Sequence, residues 1–140
     1  MEEPSIESYP IETVIAEKLE ALVALSLLTS RMKDFYDLFI ILRTFTLEFT
    51  DIATAIKQTF NRRKTDIPAK MPVVFTEKVY KDPVKQKQWK AFVGKLSNEY
   101  SALELSEVVA RVSQFCDVFW SNGTRQPILW NPDTGWEYRR

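Results

Sequence analysis

The chain has no histidine and a single cysteine, Cys116, among its 140 residues. It can form no internal disulfide, which fits a reducing, cytoplasmic setting. A Cys/His metal site is excluded, as is any mechanism that needs an imidazole base. Cys116 lies in the apolar run Val112-Ser113-Gln114-Phe115-Cys116-Asp117-Val118-Phe119. With no histidine to activate it, the thiol reads as a structural core residue and not as a nucleophile. Glycine is also scarce. Gly94, Gly123 and Gly135 are the full set, and none opens a helix after a strand. That argues against a Gly-rich phosphate loop and against a loop-rich all-β protein. The most apolar window, around Phe35 to Leu47, is interrupted by Asp37 and Arg43 and is too short and polar to span a membrane. Met1-Glu2-Glu3-Pro4 is acidic and lacks an apolar signal-peptide core, so no signal peptide is expected.

Net charge is lacking as well: 19 basic and 19 acidic side chains cancel. The distribution is uneven. Residues 1–56 carry 4 basic and 10 acidic groups, residues 57–95 carry 11 and 3, and residues 96–140 carry 4 and 6. The basic middle is a candidate surface for RNA or an acidic partner. The alternative is a solvated face that balances the acidic first third within one fold. Whole-chain neutrality weakens any long-range field and favours the balancing face.

What is present is a globular composition, 45% hydrophobic and 27% charged, in a chain of the size of one domain or part of one. The pattern is mainly α: about five helices in a compact bundle with a short extended, hairpin-like C-terminal tail. Apolar residues recur at helical spacing from Ile11 to Leu28, after the stop at Tyr9-Pro10. Thr29-Ser30 offers an N-cap for a second helix to about Phe45, with Phe35, Leu38, Phe39 and Leu42 on one face. Thr50-Asp51 would cap a third helix through Phe60, and a loop follows to Pro72. Thr76 can cap a short helix, Glu77 to Lys81. Asp82-Pro83 pairs an acidic cap with proline at the first helical position and opens a helix to about Leu96, with Trp89, Phe92, Val93 and Leu96 inward. A last long helix spans roughly Ala102 to Phe119 and ends at Asn122-Gly123. The tail, Ile128 to Trp136, reads as two extended pieces around a Pro-Asp-x-Gly turn, its tryptophans covering an edge of the core.

Charged residues sit where this pattern expects core. Lys18 has Val14, Ile15, Leu22 and Leu25 as its helical neighbours, so it lies on the apolar stripe. It either snorkels to water or is partly buried, in which case its ammonium needs an anionic partner. In Ser30-Arg31-Met32-Lys33-Asp34-Phe35-Tyr36-Asp37-Leu38, Arg31, Asp34 and Asp37 form a polar ridge beside Leu38 and Ile41. Lys33 and Asp37 add an i,i+4 pair in the less favourable order, worth about 0.3 kcal/mol. Spacing alone reads as a surface ion-pair ladder.

The two segments together resemble motifs of the AbiEii/AbiGii toxin family of nucleotidyltransferases, in the DNA polymerase β-like superfamily. Ala16-Glu17-Lys18-Leu19-Glu20-Ala21 resembles that family's third motif, and Arg31-Met32-Lys33-Asp34-Phe35-Tyr36-Asp37 its fourth. The resemblance covers the first third well and the remainder loosely. It implies that Lys18 contacts nucleotide phosphate and that Asp34 positions Lys18 or the acceptor. Arg31, Lys33 and Asp37 would support the site. For the full-length family it implies Mg and NTP, transfer of a nucleotide, tRNA as acceptor in some relatives, and an antitoxin partner. The family's Gly-Ser and Asp-x-Asp motifs, which belong to an N-terminal α/β half, do not occur in this sequence. The expectation is therefore that 1–140 forms one helical domain resembling the C-terminal half of such an enzyme. It would carry no cofactor and be inactive alone, and apolar surface exposed where the other half docks would favour self-association. The alternative expectations are a free-standing helical protein- or RNA-binding module and a degenerate structural remnant.

Overall fold

Pro10 stands at the N-cap of the first helix, and its carbonyl accepts the first turn's N–H groups from Thr13 and Val14. The computed structural model describes residues 10–97, 99–120 and 125–139. Helix α1 (Ile11–Leu25) buries Ile15, Leu19 and Leu22 completely. It stops three residues earlier than its apolar pattern predicts. Ser26–Leu28 form a 3-10 turn instead, and Ser26 takes the left-handed region at φ 51°. The reason lies in packing: Leu27 and Leu28 are 47% and 85% exposed, so their apolar character is not matched by any core contact that would continue the helix.

Helix α2 (Met32–Thr44) buries Phe35, Leu38, Phe39 and Leu42 on one face, as the spacing predicts. Its start differs from the Thr29-Ser30 expectation. Arg31 occupies the cap position, while the buried Thr29 hydroxyl accepts from the Arg31 N–H at 3.1 Å. Helix α3 (Phe49–Arg62) begins ahead of Thr50-Asp51 and has no side-chain cap. The Phe49 N–H donates to the Ile128 carbonyl at 2.9 Å, so the C-terminal segment satisfies a donor that a side-chain cap would otherwise serve.

The next two starts follow their sequence signals. The Thr76 hydroxyl accepts from Lys78 N–H ahead of α4 (Glu77–Tyr80), and the Asp82 carboxylate accepts from Lys85 N–H ahead of α5 (Pro83–Val93). Trp89 and Val93 are buried, whereas Phe92 and Leu96 are half-buried. Helix α6 (Leu105–Trp120) starts later than Ala102, because Glu99–Ala102 close into a separate 3-10 turn. The Glu107 carboxylate takes the Glu104 N–H at 3.0 Å, which is one half of a capping box. The expected Asn122-Gly123 stop lies outside the described residues.

The tail forms a hairpin of β2 (Leu129–Asn131) and β3 (Gly135–Glu137), with Trp130 opposite Trp136. A two-residue strand that the sequence pattern does not reveal, β1 (Leu47–Glu48), pairs antiparallel with β2 and completes a three-stranded sheet in the order β1-β2-β3. Gly135 stands at φ 93°, where a side chain would be strained, and a Cβ there would come within 2.8 Å of Gln114 Nε2. Helix α1 packs chiefly on α3, and α2 on α6.

Trp130 is the joint between tail and bundle. It is fully buried, packs edge-on against Phe115 and donates from Nε1 to the Leu42 carbonyl at 2.8 Å. Leu42 lies in the last turn of α2, where carbonyls lack in-helix partners. Trp130→Ala is expected to lose about 3–5 kcal/mol through the cavity it leaves. Trp130→Phe, which keeps a ring but orphans the carbonyl, should lose about 1–3 kcal/mol. Urea unfolding of the two variants checks this; an unchanged midpoint in Trp130→Phe would show that the hydrogen bond contributes nothing.

Candidate functional site

The packing of α1 beside α2 decides what becomes of Lys18. Its flanks Ile15 and Leu22 are fully buried, which draws the lysine stem toward the core and leaves the whole side chain only 21% exposed. The ammonium donates to Asp34 Oδ1 and to Asp37 Oδ2, both at 3.0 Å. Arg31 Nε donates to Asp34 Oδ2, and Lys33 Nζ donates to Asp37 Oδ2 at 2.7 Å. All five residues singled out in the sequence, Lys18, Arg31, Lys33, Asp34 and Asp37, thus join one network that ties the two helices together. It is not a surface ladder, because the Asp34 side chain is only 9% exposed.

Each aspartate bridges two cations, and Asp34 also sits in the first turn of α2, where the helix dipole favours a negative charge. Burial alone would raise the Asp34 pKa. The hydrogen bonds from Arg31 and Lys18, with their charges, outweigh it and hold the carboxyl below its ordinary value. For Lys18 burial acts to lower the pKa, and hydrogen bonds to Asp37 and Asp34 together with their charges reverse the effect and raise it. Both groups are ionised at neutral pH.

Three further residues belong to the site and carried no motif role. Glu17, next to Lys18 on α1, accepts from Arg62 Nη2 at 2.5 Å and from Arg63 Nη2 at 2.7 Å. The clue in the sequence was the acidic first third facing a basic middle. On the same helix, Glu20 is buried and accepts from Thr65 Oγ1 at 2.6 Å; no local pattern signals a pairing across 45 residues. Arg62 and Arg63 thus act as counter-charges to the acidic first third, as the balancing reading expects of the basic middle, whereas Lys81 pairs within the middle itself, with Glu77 at 2.9 Å.

The side chains of Glu17, Lys18, Arg31, Asp34, Arg62 and Arg63 line an open cleft of about 590 Å³. With Lys33 and Asp37, which complete its ion-pair network, five cations face three carboxylates, an excess of two positive charges. The cleft suits an anion. It does not suit a divalent cation. Among the described residues no group of three or more His, Cys, Asp or Glu side chains is placed to hold a metal. Asp34 and Asp37 already face Lys18, Arg31 and Lys33, so the magnesium implied by the resemblance finds no fitting ligand set among them. Cys116 is fully buried, and burial pushes its thiol up to about 12, as a structural residue requires. No helix among the described residues is long and apolar enough to cross a membrane.

A family model described as nucleotidyl transferase AbiEii toxin, type IV TA system, matches residues 1–114. Neither the curated proteins nor the solved structures contain a match to the chain.

Because the Asp34 pKa is depressed below 3.8, its contribution to stability is complete above the unfolded-chain value and is lost as pH falls through the folded value. Lys18 has the opposite sign: its contribution is complete below 10.5 and is lost only as pH rises past its raised value. Asp34→Asn is therefore expected to lose about 1–3 kcal/mol at pH 7 and to show a shallower decline as pH falls below the ordinary carboxylate value of 3.8. Urea midpoints at neutral and acid pH measure both quantities. A parallel decline in wild type and variant would remove Asp34 from the acid response.

Proposed function

The chain belongs to the AbiEii nucleotidyl transferase toxin family, and on that premise we propose that it supplies the helical, phosphate-facing wall of a nucleotidyltransferase site. The observation that carries this reading is the state of Lys18. A lysine ammonium has three donors. Two are directed at Asp34 and Asp37, which fix the head in place, and the third remains for an oxygen of a ligand in the cleft. In this reading Lys18 contacts a nucleotide phosphate, and Asp34 and Asp37 are positioning residues that hold it. Arg31 and Lys33 keep the two carboxylates neutralised, so the aspartates do not repel the incoming phosphate. Preorganised charge of this kind is effective in phosphoryl transfer, where the protein's main contributions are placement and charge stabilisation.

Transfer itself needs carboxylates free to hold metal ions. Asp34 and Asp37 are occupied, so the metal-binding side of the site is assigned to a separate segment bearing the Gly-Ser and Asp-x-Asp motifs. The 140-residue chain is accordingly inactive by itself. The NTP, a tRNA acceptor and an antitoxin are the partners this reading assigns to the complete assembly. A free-standing RNA-binding module is less well supported, because a phosphodiester of RNA would have to displace the Glu17 carboxylate, of equal charge, from Arg62 and Arg63.

The isolated chain, incubated with magnesium, labelled nucleoside triphosphates and tRNA, is expected to transfer no label. Its binding of a nucleoside triphosphate should weaken about tenfold or more in Lys18→Ala, the loss of one charge-assisted contact. Label transfer by the chain alone, abolished in Lys18→Ala, would show the site to be complete and overturn the partial-site reading. Binding indifferent to Lys18 would remove the lysine from the phosphate contact.

A further inference from the structure

Arg62 and Arg63 belong to none of the motifs discussed above, yet both line the cleft that Lys18 faces. They stand at the C-terminal end of α3 and converge from there on the two oxygens of one carboxylate, Glu17. The cluster is unbalanced. Two guanidiniums share one negative charge, whereas the Lys18 ammonium is shared by two carboxylates. Each side of the cleft carries one of the two excess positive charges: Arg62 and Arg63 against Glu17, and Lys18, Arg31 and Lys33 against Asp34 and Asp37. The arginines are the adaptable part of the cleft. Their side chains are 56% and 53% exposed and that of Glu17 is 32% exposed, so the pairing can open without uncovering the core. Exposed ion pairs of this kind are worth little.

We propose that Arg62 and Arg63 form an arm that binds the terminal phosphate of a polyphosphate chain, with Glu17 occupying that position in the unliganded protein. The assignment rests on the nucleotidyltransferase reading for the nucleoside end of the ligand. It stands on the arginine geometry alone for the phosphate end.

Charge decides which kind of phosphate fits. A phosphodiester carries a single charge, the same as the Glu17 carboxylate it would displace, so the exchange gains nothing in charge. A terminal phosphate carries about −1.5 to −2 at neutral pH and offers three acceptor oxygens. It neutralises both guanidiniums and can be held by each through its planar fork of donors. Glu17 then turns toward water, since a carboxylate left beside that phosphate would repel it. Lys18, the neighbour of Glu17 in sequence and a lining residue of the same cleft, would meet an inner phosphate with its remaining donor. Glu17 on this account is a competitor, and removing its charge should help binding.

Calorimetric titration of the full chain with inorganic tripolyphosphate, a probe with no nucleoside, tests the arm. Wild type is expected to bind it, and to bind an oligonucleotide without terminal phosphates at least tenfold more weakly at the same salt concentration. Arg62→Ser/Arg63→Ser, both surface changes verified by an unaltered thermal melt, should weaken tripolyphosphate binding at least tenfold. Glu17→Gln should tighten it severalfold. The proposal is overturned by any of four results: no tripolyphosphate binding, binding indifferent to the arginine pair, weaker or unchanged binding in Glu17→Gln, or an oligonucleotide bound equally well. The nucleotidyltransferase reading fails separately, on nucleoside triphosphate binding that ignores Lys18. An arginine-dependent tripolyphosphate signal would survive that failure.

Discussion

An ammonium on the apolar side of α1 is the constraint around which the first half of the molecule is arranged. Lys18 cannot be drawn in between Ile15 and Leu22 without compensation, because an uncompensated charge at that depth costs several kcal/mol. The compensation comes from the second helix, in Asp34 and Asp37. Those carboxylates in turn would repel each other across one helical turn if Lys18, Arg31 and Lys33 did not divide the charge between them. The network therefore ties α1 to α2 through two contacts of 3.0 Å. Apolar packing of Leu19, Leu22, Phe35 and Leu38 brings the helices together, but such packing is non-directional. The ion pairs add directional contacts between the two helices.

The division between what could and could not be read in advance follows the range of the interactions. Asp82-Pro83 and Thr76 were legible as helix starts because a cap acts within three residues of itself. The apolar face of α2 was legible for the same reason. The start of α3 was not, because the donor at Phe49 is satisfied by Ile128, a residue brought there by the hairpin. Strand β1 is two residues long and exists only as a partner for β2. No period can be detected in so short a segment. At α1 the local signal misled: Leu25, Leu27 and Leu28 look like a continuing apolar helix, yet all three are exposed.

The site shows the same contrast. Lys18, Arg31, Lys33, Asp34 and Asp37 could be named from two short motifs, and the contacts of Arg31 and Lys33 run three and four residues along one helix. The pairing of Glu17 with Arg62 and Arg63 spans 45 and 46 residues and depends on α3 crossing α1. Sequence could show an acidic third and a basic middle, but not which charges would meet. Glu20 and Thr65 pair at similar range, in a segment where the basic middle seemed to offer only loop. Charge balance over the whole chain was thus visible before the contacts that produce it.

The cleft consequently has two walls of different character. On the α1–α2 side the charges are interlocked: moving Lys18 would break two contacts and leave Asp34, which is 9% exposed, with Arg31 as its partner in the network. On the α3 side Arg62 and Arg63 are about half exposed and share one carboxylate, Glu17. Preorganisation favours binding and catalysis when the fixed groups lie where charge develops, while an adaptable rim is needed to admit and release a highly charged ligand. On the proposed reading, the doubly held lysine and the exposed arginines around one opening reconcile these demands. It also accounts for the aspartates: they serve the lysine, and the more firmly they hold it, the less able they are to serve a metal ion.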